Sequence, residues 1–139
     1  MKRKNSLITV GVAVSLAVLG AGAALSAQDR YSLTVPNGLA FGEFKGYETW
    51  QVISISHNGG KLAAILGNPI MIQAYKTGIP ANGKPVPDGA KMAKIHWNPK
   101  TDTKAPGPPV VPDTLHDIDF MVKDSKRFAD SGGWGYGAF

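Results

Sequence analysis

The chain has 139 residues, fifteen lysines and arginines against ten acidic side chains, and no cysteine. That length suffices for one hydrophobic core rather than two, and the missing thiols exclude disulfides, thiolate metal sites and thiol catalysis from these residues. The formal charge of +5 falls to +2 once residues 1–27 and their three basic side chains are set aside, so the basic balance reflects targeting and gives no support for nucleic-acid binding.

Residues 1–27 read as a secretory signal peptide: Lys2, Arg3 and Lys4 precede an apolar run from Leu7 to Leu25, and Ala24, Ser26 and Ala27 form a small-residue exit. An uncleaved membrane anchor is the rival, because the run approaches the ~18–20 apolar residues that span a bilayer. Its Gly and Ala content and the small-residue exit favour cleavage after Ser26 or Ala27, hence export to the periplasm. In that oxidising compartment a cysteine-free domain, residues 28–139, depends on its core alone.

Tyr31–Val35 can begin a strand, and Pro36–Gly38 is turn chemistry, since Pro presets φ while Asn and Gly tolerate positive values. Thr49–Ser56 ("TWQVISIS") is rich in β-branched and aromatic residues, a strand that could be buried on both faces, stopped by His57–Gly60. A short helix is predicted over Pro69–Thr77: Asn68 can cap it, Pro69 suits its first position, Lys76 meets the negative end of its dipole and Gly78 can close it. Eight of the ten prolines then fall between Pro80 and Pro112, marking a long irregular stretch with one strand inside it.

That strand, Ala90–Trp97, starts after the Asp88-Gly89 turn and is expected to stop at Asn98 and Pro99. Alternation puts Ala93, Ile95 and Trp97 on a core face and Met92, Lys94 and His96 on the other. His116–Lys123 alternates again, with Ile118, Phe120 and Val122 inward and Asp117 and Asp119 outward. Lys123–Asp130 can make one helical turn, and the closing "GGWGYGAF" resumes as a strand with Trp134, Tyr136 and Ala138 on one face. The sum is a single α+β domain: a mainly antiparallel sheet with one or two short helices.

Few residues point to chemistry unaided. The glycines of "GGWGYG" are not followed by a helix or a Lys-Ser/Thr pair, so a packed strand accounts for them better than a phosphate loop. His57, His96 and His116 lack the spacing of a metal site, and structural or solvated roles account for them. Asp117 and Asp119, with Asp113 nearby, could hold calcium or act as acid and base, although a polar outer sheet face explains the pair as well. Lys94 is the sharper candidate. An exposed sheet lysine is the ordinary case, but in a pocket, desolvation would turn its amine into a nucleophile or attachment point.

The segments "TVPNGLAF", "GYETWQVISIS", "GIPANGKPVPDGAKMAKIHW" and "DFMVKDSKRFADSGGWGY", with the N-terminal leader, resemble the cytochrome P-460 family of exported haem proteins over essentially all of residues 31–139. The resemblance implies a mainly β, usually dimeric fold around a c-type haem held by a Cys-x-x-Cys-His motif whose histidine ligates iron. It further implies a strand lysine bonded to the macrocycle in members that oxidise hydroxylamine, and binding of nitric oxide or other small gases in relatives without that bond. An electron-accepting cytochrome would serve as redox partner. The family's lysine falls on Lys94, six positions after Asp88, with Lys91 as fallback; Met92, Lys94 and His96 would then line the haem cavity. A lysine bond to the porphyrin is one of the levers by which a protein tunes haem iron. Cys-x-x-Cys-His is absent, and the expectation is a domain incomplete at its C-terminus, its haem tail lying beyond Phe139. No spacing fixes a pocket carboxylate among Glu43, Glu48, Asp117 and Asp119.

Overall fold

The computed structural model describes residues 30–36 and 38–139; the expected signal peptide and Asn37 of the predicted turn lie outside them. Five strands form one antiparallel sheet in chain order: β1 Gln51–Asn58, β2 Lys61–Gly67, β3 Lys91–Thr101, β4 Val110–Lys123 and β5 Trp134–Ala138. One α-helix, α1 Pro69–Lys76, and short 3-10 helices complete the described chain. The predicted α+β class, with its antiparallel sheet and short helices in one domain, is therefore the observed one.

The sheet is clothed unequally. On one side Leu39, Phe41, Phe44 and Tyr47, from the N-terminal segment, pack over Leu66, Ala93, Ile118, Phe120 and Val122. Phe120 is the hub, 0% exposed: its ring stacks on Phe44 at 4.1 Å and meets the edges of Phe41 and Tyr47, arrangements that suit the quadrupoles of aromatic rings. Gly135 and Gly137 alternate with Trp134, Tyr136 and Ala138 in β5. A Cβ on Gly135 would strike the Phe128 ring, and one on Gly137 would come within 2.9 Å of Phe139 and 3.2 Å of Leu39. The glycine-aromatic alternation thus comes from close approach of large core side chains to the backbone.

Helix α1 begins as its sequence predicts. Asn68 Oδ1 accepts from the backbone N–H of Met71 at 3.0 Å, Pro69 stands at the start, and Lys76 lies in the last turn. Asn68 does more than cap. The same oxygen accepts from Lys91 N–H at 3.0 Å and its Nδ2 donates to Gly89 O at 2.9 Å, tying the helix to the start of β3.

Several local expectations are corrected. Arg30–Ser32 is a 3-10 helix rather than part of a strand, and only an isolated bridge, Thr34 to Ala40, has β character there. β1 is not buried on both faces. It is an edge strand with Val52 60% and Ile55 77% exposed. β2 follows it through a Gly59-Gly60 turn in which both residues have positive φ, the conformation two-residue hairpins need. Asn98 and Pro99 do not end β3. It runs to Thr101 with Pro99 opposite Pro112 across register shifts, so β4 begins at Val110 and much of the proline-rich stretch is a hairpin arm. The shift at Trp97 takes that side chain out of the core cluster and into a second cavity with Ile55, Leu62, Val110 and Pro112.

Candidate functional site

The open face of the sheet carries the polar chemistry. Lys94 lies opposite Ile65 of β2 and Asp119 of β4, while His96 lies opposite Ala63 and Asp117. Period-2 geometry sends all of these side chains to the face away from Phe120. There, Ile65, Met92, Lys94, Asp119, Met121, Tyr136 and Ala138 surround a concavity of about 460 Å³. Its wall is chiefly apolar with a few charged groups, as ligand sites commonly are.

Lys94 is half-buried in that wall. It makes no ion pair within 4 Å among the described residues, although Asp119 is its cross-strand partner. Lys91, the fallback, stands on the covered face: its Nζ donates to Glu43 O at 2.6 Å and lies 5.4 Å from the Phe44 ring centroid. The cavity therefore contains one of the two candidate lysines. Of the sequence candidates, Met92, Lys94 and Asp119 come together in its wall.

The carboxylates separate clearly. Glu43 sits in the N-terminal cover, bound by Arg127 at 2.7 and 3.0 Å. That guanidinium holds the Glu43 carboxyl below its ordinary range against opposing burial, helped by the Ala40 N–H. Glu48 pairs with Arg30 at 3.4 Å on the same side, and Asp113 with Lys100 at 2.6 Å on the hairpin arm. Asp117 and Asp119 face the open side. His96 Nδ1 lies 2.5 Å from Asp117 Oδ1 and 3.9 Å from Asp119 Oδ2. His116 Nδ1 adds a 3.1 Å contact to Asp117 Oδ2, and His57 lines the second cavity.

Sequence reading missed the His96-Asp117-Asp119 cluster. Its signal was present as two outward alternations, one on each strand, but they meet only when the register is known.

One sheet face is thus sealed by aromatics, and the other presents a lysine over an apolar hollow. The family model for cytochrome P-460 matches residues 44–139, well over half of the chain, and the chain belongs to that family. No curated protein matches it.

Members of the family normally carry haem c. The open face suits one side of a planar apolar ring system, with Met92, Met121, Ile65 and Tyr136 around an unpaired amine. Attachment does not fit. Without a cysteine among the 139 residues, none of them can form the thioether bonds of a c-type haem.

Proposed function

We propose that this chain is a periplasmic haem protein and oxidoreductase acting on hydroxylamine or nitric oxide, with the haem seated on the open sheet face against Lys94. The observation that carries the reading is the Lys94 amine, half-buried in the cavity wall and lacking an ion-pair partner among the described residues, in a chain of the cytochrome P-460 family. When bound, haem supplies the redox chemistry; the protein supplies orientation and surroundings. Met92, Met121, Ile65 and Tyr136 would provide an apolar wall, Lys94 would be the group held against the macrocycle, and Asp119 would set a negative charge beside it. No thioether to the haem comes from these 139 residues, which hold no cysteine. Export rests on the leader-like residues 1–27, and self-association as a homodimer on the exposed Val52 and Ile55 of edge strand β1. An electron-accepting cytochrome is the redox partner.

The test is expression of the complete reading frame in cells competent in cytochrome maturation. The product shows a Soret band, and Lys94→Leu retains haem but changes the absorption spectrum. An unchanged spectrum removes Lys94 from the role. Hydroxylamine turnover separates the enzyme from a protein that only binds gas.

The missing cysteines favour a second reading, a haem-free exported binding module on the same scaffold. It predicts a product without a Soret band and no Cys-x-x-Cys-His in the reading frame.

A further inference from the structure

His96, Asp117 and Asp119 each offer one ligand atom, and the three atoms all lie within 4.8 Å of one another. We propose that these residues bind a single divalent transition cation of the zinc type at the rim of the open-face cavity. The inference is independent of whether haem is seated on that face.

The backbone prepares the cluster. His96 and Asp117 are directly opposite in the β3-β4 ladder, and Asp119 is the next same-face residue along β4. All three side chains therefore leave the sheet in one direction from its most extensively paired hairpin. The His96 side chain is 16% exposed, which limits the rotamers open to it. A metal with bonds of ~2.0–2.2 Å to nitrogen and oxygen places its ligands about 3.0–3.4 Å apart in tetrahedral or octahedral arrangement. The His96 contacts of 2.5 Å to Asp117 and 3.9 Å to Asp119 bracket that spacing. Seating a cation needs the first contact to open and the second to close, each by less than ~1 Å, through rotation of carboxylate ends.

Charge favours an occupant. Two carboxylates share a small space, and the nearest lysine in the ladder, Lys94, is not within ion-pair distance of Asp119. A divalent ion between the two carboxylates offsets both. Asp117 also has its second oxygen engaged by His116 Nδ1 at 3.1 Å, the kind of outer contact that orients a ligating carboxylate. One imidazole among the donors selects zinc, cobalt, nickel, copper or ferrous iron over magnesium and calcium, which prefer all-oxygen shells. With three protein ligands, at least one position stays open for water or a small substrate, the pattern of catalytic rather than structural sites. Asp119 belongs to both the cluster and the cavity wall, so that open position adjoins the hollow.

The experiment uses untagged full-chain protein, stripped with EDTA and dialysed against ZnCl₂, with bound zinc and any haem iron measured separately by elemental analysis and affinity by calorimetry. One zinc per chain is expected, with affinity at least tenfold weaker in both His96→Ala and Asp119→Asn, unchanged in His57→Ala, and insensitive to millimolar magnesium or calcium. Far-UV circular dichroism verifies that each variant is folded; should His96→Ala unfold, Asp119→Asn and His96→Gln carry the test. No zinc uptake by the wild type, wild-type affinity in the His96 and Asp119 variants, or equal competition by magnesium overturns the proposal. Because zinc is counted apart from porphyrin iron, any of these results leaves the haem reading standing.

Discussion

Replacing Phe120 by alanine tests whether the aromatic hub on the covered face holds the sheet. The Phe120 ring is 0% exposed and meets Phe44 at 4.1 Å in a stacked pair, Phe41 at 5.2 Å and Tyr47 at 5.3 Å edge-on, and Phe139 at 5.7 Å. Truncating a core phenylalanine to alanine costs ~3–5 kcal/mol, counting both transfer and the cavity left behind. The four ring partners place this site at the upper end, since each good aromatic pair adds ~0.5–1.5 kcal/mol beyond its area. A domain of this size has roughly 5–15 kcal/mol of total stability. Phe120→Ala therefore removes a third or more of it. With a urea dependence of about 2 kcal/mol/M, the unfolding midpoint falls by about 2 M. Phe120→Leu keeps much of the volume but loses the ring contacts, and should cost about 1–2 kcal/mol. Fluorescence can follow the transition because Trp50 packs against this cluster, 6.4 Å from Phe44. A Phe120→Ala midpoint within about 0.5 M of the wild type would refute the assignment of the hub.

Three further outcomes are expected. Asn68→Ala should lose ~2–4 kcal/mol in chemical denaturation, because it removes a helix cap and also deprives Lys91 N–H and Gly89 O of their partner; a loss under about 0.5 kcal/mol would show that water replaces the amide. Gly135→Ala drives a methyl group into the Phe128 ring and should cost ~1–3 kcal/mol, with thermal melts as the measure and an unshifted midpoint as the contrary result. Glu43 has a lowered folded-state pKa, chiefly through Arg127. Its contribution is present above the unfolded value of 4.5 and lost as pH falls from there through the folded value. Glu43→Gln should flatten the acid side of the stability-pH curve, and identical slopes for variant and wild type below pH 4.5 would contradict the pairing.

What could be read from the letters follows from how local each signal is. Helix α1 was legible because Asn68, Pro69 and Lys76 act within one or two turns. The inward faces of β4 and of β3 as far as Ile95 were legible because alternation is a property of a single strand, whereas the register shift at Trp97 was not. β2 was not: Lys61–Gly67 contains Leu62, Ala63, Ala64 and Leu66, an apolar run without alternation, because a central strand has neighbours on both edges and is buried or half-buried along its length. The N-terminal cover was also missed. Its 3-10 helices Phe41–Phe44 and Tyr47–Thr49 are too short to show a period, and they hold their shape by docking on Phe120. Pro99 misled because proline usually ends a strand; here register shifts accommodate it opposite Pro112. Strand position left Lys94 open between an exposed sheet residue and a pocket residue, and placing it and Asp119, rather than Glu43 or Glu48, in the cavity wall needed tertiary contacts.

The one-sided clothing of the sheet divides labour within the chain. Residues of the aromatic core and residues of the open-face cavity project in opposite directions from the same sheet, in places as immediate neighbours, as Phe120 and Asp119 do. Substitutions on the cavity side therefore draw little on the reserves that keep the molecule intact, and the same architecture can carry different side chains over the hollow.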